Sequence, residues 1–235
     1  MAAVIVTARG DADRAPAGAP DPAGGHRLGR EAFERPTLHV ARALLGKYIV
    51  VRGDDGWERA GMIAEVEAYR GPRDRAAHTW GGRRTARVEP LYGEGGTAYV
   101  YLVYGIHWLL NFSTVGAGIP EGVLVRGIAA DTADGPRALL GPGKVTQYLG
   151  IGKRLDGVDA TTSPLIRLED RGVRIPARRI RKGPRVGIDY AGPYWAARHW
   201  RFWIDIAALA GGGGKARMRR NAAAGTPDAT LPDVP

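Results

Sequence analysis

The chain of 235 residues carries a formal net charge of +10, with a pI near 10.2, and contains no cysteine. Such a charge calls for a polyanionic partner, either nucleic acid or an anionic membrane surface. The missing thiols exclude a disulfide framework, a thiolate nucleophile and any cysteine-ligated zinc or iron–sulfur site, and the 35 Gly and 16 Pro exclude a simple helical bundle.

Residues 1–27 are rich in Ala, Pro, Gly and Asp. They hold too little apolar surface to offset their ordering entropy, so a flexible tail is expected. The AAVIV run is too short for a signal sequence and no apolar run approaches a membrane span, which predicts a soluble, intracellular protein. The Ala-, Arg- and Gly-rich composition points to a GC-rich bacterial genome. The fold is expected to begin near Leu28. Thr37 is a candidate N-cap for LHVARALLG, with Leu38, Ala41, Leu44 and Leu45 as a core stripe and Gly46 as the stop.

Two β-rich runs follow, KYIVVR and WERAGMIAEVEAY, joined by Gly53-Asp54-Asp55-Gly56, a hairpin signal. Alternation along the second run puts Met62, Ala64, Val66 and Ala68 on one face and Ile63, Glu65, Glu67 and Tyr69 on the other. Two carboxylates thus share a face about 7 Å apart, in a basic protein and next to Arg70, Arg73 and Arg75. A solvated acidic face is the plain alternative to a functional one. The loop RGPRDRAAHTWGGRRTARVEP, which holds Asp74, His78 and Arg83, can lie along a phosphate backbone and supply salt-dependent affinity.

TAYVYLVYG followed by IHWLLNFSTV predicts a hairpin that turns near Tyr104-Gly105. Tyr99, Tyr101 and Val103 share a face, and Tyr104 falls at the tip, where Asn, Asp or Gly would be usual. Such a ring suits a wedge between bases. Further on, GVLVRGIAA predicts a strand with Arg126 at an edge or paired, and Asp134 is a candidate cap. Gly141-Pro142-Gly143-Lys144 leads into a helix whose free N–H groups and lysine suit a phosphate. TTSPLIRLED and RRIRKGPRVGI predict short strands, PYWAARHWRFWI closes the core, and residues 207–235 are expected to be flexible.

EVEAYRGPRDRAAHT, GTAYVYLVYGIHWLLNF, VLVRGI, GPGKVTQYLGI and RVGIDYAG, in that order, resemble the alkyladenine (3-methyladenine) DNA glycosylase family over roughly Leu28 to Trp203. The fold then expected is a single α+β domain over residues 28–206, with a curved, mainly antiparallel sheet and β-hairpins flanked by helices. The resemblance implies that Glu67, rather than Glu65, is the general base for the attacking water. It implies a base pocket of Tyr69, His78, Tyr101 and Asn111, with Ile188 against the site offering its carbonyl to the water. Tyr104 would fill the gap left in the duplex, and Arg126 would help place the water. Apart from the resemblance, charge and free backbone N–H groups lead to the expectation that Arg83, Gly143 and Lys144 hold phosphates. The partner is duplex DNA carrying a damaged purine, met by a monomer that needs neither cofactor nor metal.

The chemistry suits these roles. A stacked base must be flipped out, at a cost of a few kcal/mol that is smaller for damaged or mispaired bases. Facing aromatic rings favour electron-poor or cationic purines, and a carboxylate can deprotonate water beside an oxocarbenium-like sugar. A shared pocket for Tyr101 and Asn111 requires an odd-numbered hairpin loop or a bulge. Two alternatives stay open. One is a glycosylase/lyase of the helix–hairpin–helix type using Lys144 as a Schiff-base nucleophile, against which the strand-rich pattern speaks. The other is a non-catalytic basic protein that binds duplex nucleic acid.

Overall fold

The computed structural model describes residues 25–132 and 135–206. Most of the expected N-terminal tail, the Asp134 cap and the expected C-terminal tail lie outside the described residues. In chain order the elements are β1 (His26–Arg27), α1 (Thr37–Leu44), β2 (Tyr48–Arg52), β3 (Glu58–Tyr69), β4 (Ala98–Val103), β5 (His107–Thr114), β6 (Glu121–Thr132), β7 (Gly135–Leu140), α2 (Pro142–Leu149), β8 (Ile166–Asp170), β9 (Ile180–Gly183), α3 (Pro193–Ala196) and β10 (Arg201–Ile204). Short 3-10 turns join several of them.

The strands form one open antiparallel sheet in the order β1-β8-β2-β3-β6-β5-β4. Its two long central strands each divide an outer edge between two partners. The first half of β3 pairs with β2 and its second half with β10, which in turn carries β9. β6 pairs with β5 along its first half and with β7 along its second. This is the expected α+β architecture with a mainly antiparallel sheet.

One face of the sheet holds the main core. Val40, Ala41 and Leu44 of α1 and Val145 and Leu149 of α2 pack there against Ile49, Val66, Ala68, Leu110 and Phe112. Each of the larger of these side chains contributes roughly 1.5–3 kcal/mol on burial. The other face carries two smaller clusters, Ala76, Ile188 and Ala191 with Tyr69 and Trp195, and Val88, Leu91 and Tyr99 with Tyr101. The arginine-rich loop and the segment after β9 form the walls between them.

Several expectations are corrected. Thr37 is the first helical residue rather than the cap, a position taken by Pro36. Its hydroxyl bonds instead to Thr114 at 2.8 Å and to Glu121, so tertiary partners outcompete the local capping bond. Chain pairing starts two residues before Leu28, where His26 and Arg27 meet Asp170 and Glu169. Residues 135–140, expected only as a short apolar stretch, form β7. RVGI is a loop and not a strand end, because Gly187 at φ 71° turns the chain. The expected face of Ile63, Glu65, Glu67 and Tyr69 also breaks: the β3–β6 register shifts around Glu65, and Ile63 joins the main core beside Ala64. A bulge places two consecutive residues on one side and resets the alternation beyond it.

Candidate active site

Opposite the main core, the sheet and its covering loops enclose a cavity of about 480 Å³, within the range of small-ligand pockets. Tyr69 of β3, Tyr101 of β4, Asn111 of β5 and Arg126 of β6 line its sheet side. Ala76 and His78 of the arginine-rich loop, with Val186, Ile188 and Tyr190, line the rest.

The hairpin register explains how Tyr101 and Asn111 meet. Val103 pairs with His107, leaving the three-residue loop Tyr104, Gly105 and Ile106, and Tyr101 pairs with Leu109. An odd loop puts Tyr101 on the same face as Leu109 and therefore as Asn111. The Asn111 side-chain amide donates to the Tyr99 carbonyl at 3.2 Å, which fixes its orientation. At the tip, Tyr104 is 92% exposed and has φ 52°. A left-handed backbone costs an ordinary L-residue about 1–2 kcal/mol, so a protruding ring is held here against local preference.

Glu67 is completely buried, with β6 on one side and β10 on the other. Its Oε1 accepts the Val186 N–H at 2.8 Å and lies 3.3 Å from Arg126 Nε. Its Oε2 accepts the Tyr69 hydroxyl at 2.8 Å. The two donors and the Arg126 cation belong to residues that line the cavity, so the carboxylate sits immediately behind its wall. Burial pushes the Glu67 carboxyl above its ordinary range, partly offset by Arg126, the Val186 N–H and Tyr69. Burial beside the Glu67 charge drives the Tyr69 phenol well above its usual value.

Glu65 is the second carboxylate of the strand. Its Oε1 lies 3.3 Å from both Arg126 Nε and the Arg201 guanidinium. Arg126 is therefore shared between two carboxylates. It stands in central strand β6 and is paired, the second of the two roles, edge or paired, that the pattern had suggested.

On the opposite wall His78 Nδ1 and the Tyr99 hydroxyl are 2.9 Å apart. The His78 ring meets Tyr101 edge-on at 4.7 Å, and Tyr99 stacks on Tyr101 at 5.0 Å. Burial, helped by Arg87 and Arg83, lowers the His78 pKa, which keeps the ring neutral at pH 7. Burial lifts the Tyr99 phenol to about 12 and the Tyr101 phenol further still. The cavity wall thus presents uncharged aromatic hydroxyls, suited to a flat ring.

Tyr69, His78, Tyr101, Asn111, Arg126 and Ile188 all line the cavity, together with the exposed Tyr104 at its rim. The Ile188 carbonyl accepts the Ala191 N–H at 2.9 Å, and the backbone group that meets Glu67 is the N–H of Val186. Arg83, Gly143 and Lys144 are not among the lining residues. Arg83 and Lys144 are exposed, the Lys144 N–H donates to Gly141, and a Cβ on Gly143 would come 3.1 Å from the His107 ring. That approach lets α2 pack on β5. The position of Lys144 away from the cavity also removes the basis for a Schiff-base role there.

Sequence reasoning missed four contributors: the Val186 N–H, the Tyr99 hydroxyl, Tyr190, whose hydroxyl donates to the Ala76 carbonyl, and the buried pair of Asp74 with Arg185. Arg185 and Val186 stand in the RVGIDYAG stretch, so a signal existed, but backbone donors carry no side-chain signature.

Comparison with known proteins shows the family. Residues 31–207 match the family model described as methylpurine-DNA glycosylase. A Bacillus cereus protein named "Putative 3-methyladenine DNA glycosylase" is 40% identical over 196 residues, 74% of this chain and 93% of its own length. A protein of the same name from Desulfitobacterium hafniense (strain Y51) is 38% identical over 200 residues, 76% of this chain and 95% of its own length. The protein is accordingly a monofunctional DNA glycosylase, a hydrolase of N-glycosyl bonds in base excision repair. Within that class it belongs to the methylpurine-DNA glycosylase family.

Proposed function

We propose that the protein, acting as a monomer, flips damaged purines of the 3-methyladenine, hypoxanthine or ethenoadenine type out of duplex DNA. It then hydrolyses the N-glycosidic bond with a water activated by Glu67, leaving an abasic site. The observation that carries this reading is a fully buried carboxylate whose three partners, Tyr69, Arg126 and Val186, all line the cavity. A base whose pKa is raised by burial binds the water's proton more readily than an exposed glutamate.

The extruded base would lie between Tyr69 on one side and His78 with Tyr101 on the other. These faces hold electron-poor rings by stacking and cation–π attraction. Asn111 would screen the base edge, while Tyr104 occupies the vacated space in the duplex. Arg126 would hold the water beside Glu67. Arg83, Gly143 and Lys144 would contact phosphates outside the pocket.

Base release is tested on duplex DNA carrying hypoxanthine or an alkylated adenine, with alkali to reveal abasic sites. The parent should cleave, and Glu67→Gln should slow release by roughly 10²- to 10⁴-fold. Equal rates would sink the base assignment while leaving the family intact.

A further inference from the structure

Behind the cavity wall lies an ion pair that touches three of the segments supplying the proposed chemistry. The Asp74 and Arg185 side chains are both 0% exposed, and Arg185 grips Asp74 with two parallel bonds of 2.5 and 2.9 Å. The same guanidinium donates to the Ala68 carbonyl at 3.0 Å, next to Glu67. It lies between the Tyr69 and Trp200 rings, 4.6 and 5.0 Å from their centres. Asp74 accepts the Arg70 N–H at 3.0 Å and the Ala76 N–H at 3.1 Å.

Three segments are pinned by this pair: the end of β3 with Glu67 and Tyr69, the loop leading to His78, and the chain beginning at Val186. The last link is short, since the residue after Arg185 donates its N–H to Glu67. We infer that Asp74 and Arg185 are positioning residues for Glu67, setting the Val186 donor, the Tyr69 ring and the carboxylate in one fixed geometry. This inference rests on the reading of Glu67 as the base.

A buried ion pair adds little net stability compared with well-packed apolar residues, whereas a rigid fork fixes geometry. The Arg185 Nε has no partner, so the side chain is placed for its terminal nitrogens and its flat face. Its charge also acts on Glu67. The groups facing that carboxylate are Tyr69 and Glu65 on β3, Arg126 on β6, Arg201 on β10, Tyr101 on β4, and Arg185 and Tyr190 on the segment after β9. Arg126, the Val186 N–H, Tyr69 and Arg185 all oppose the upward push of burial. Removing Arg185 takes away one of these and loosens another, so the Glu67 pKa rises further.

The test compares the parent with Asp74→Asn, Arg185→Lys and Arg185→Met on hypoxanthine duplex under single-turnover conditions across a range of pH. Melting curves and affinity for duplex carrying a tetrahydrofuran abasic analogue accompany it. The expected result is a rate loss of about 10²-fold, the scale of a small misplacement at a reacting group, with duplex affinity unchanged. The acidic limb of the rate profile should move to higher pH, most in Arg185→Met and less in Arg185→Lys, which keeps the charge. Folded Arg185 variants that retain the parental acidic limb overturn the inference, whatever their rate, and so does a folded Asp74→Asn that keeps the parental rate. If Arg185→Met does not fold, the acidic limb of Arg185→Lys and the rate of Asp74→Asn decide. An active Glu67→Gln in the same assay refutes the base assignment itself; an inactive one beside unshifted Arg185 variants refutes only the positioning role.

Discussion

The two faces of the central sheet are built on opposite terms. Under α1 and α2 lies a continuous apolar core with Phe112, Leu110, Ile49 and Leu44 fully or almost fully buried. On the other face, buried groups include Glu67, Asp74, Arg185 and Asn111, each with specific partners. The first face stabilises the fold by excluding water. The second gives up such stabilisation to hold charged and polar groups in a low-dielectric wall, where burial raises the proton affinities of Glu67 and Tyr69. A strand can serve both because successive side chains point to opposite sides: Val66 and Ala68 enter the core, while Glu67 and Tyr69 enter the site.

Substitutions can break this division. Glu67→Gln carries the largest effect, a loss of roughly 10²- to 10⁴-fold in base release. It should also raise the melting temperature at neutral pH. The folded pKa of Glu67 is raised, so its stabilising contribution is present below the ordinary glutamate range and lost as pH rises through the folded value. Glutamine cannot ionise and escapes that loss, so the stability difference should shrink on acidification. A thermal melt at several pH values checks the sign.

On the core face, Leu44→Ala should cost about 2–5 kcal/mol of stability and leave the single-turnover rate of the folded protein at the parental level. A rate loss at temperatures where the variant is fully folded would show that the two faces are coupled. Tyr104→Asn tests the tip. Asparagine tolerates the left-handed backbone better, so stability should hold or rise by about 1 kcal/mol, while affinity for lesion duplex falls. Unchanged affinity would remove the wedge role. The smallest effect belongs to Arg83→Ala, which should weaken binding about equally across sequences and reduce the salt slope by about 1. An unchanged slope would take Arg83 out of the phosphate interface.

Much of the site was legible before the fold was seen. Tyr69, Tyr101, Asn111, Arg126 and His78 stand in stretches whose order and residue types match the family, and each lines the cavity. Arg83 and Lys144, expected at phosphates rather than in the pocket, lie outside it, and a surface cation looks the same in sequence whichever way it faces. Glu65 and Glu67 were equivalent by spacing. Their difference comes from neighbours: Glu65 meets Arg201 near the surface, and Glu67 is sealed behind Tyr69 and Val186.

By itself the sequence determined most of the strands, though not β1 or β7, the β2–β3 and β4–β5 hairpins, and a tyrosine at an exposed turn, since alternation and turn chemistry act over a few residues. Tertiary structure alone decided the bulge near Glu65, the three-residue loop that brings Tyr101 and Asn111 together, and the insertion of β10 beside β3. It also decided the meeting of Asp74 with Arg185, 111 positions apart. Such contacts depend on how whole strands settle against one another, and no local pattern records that.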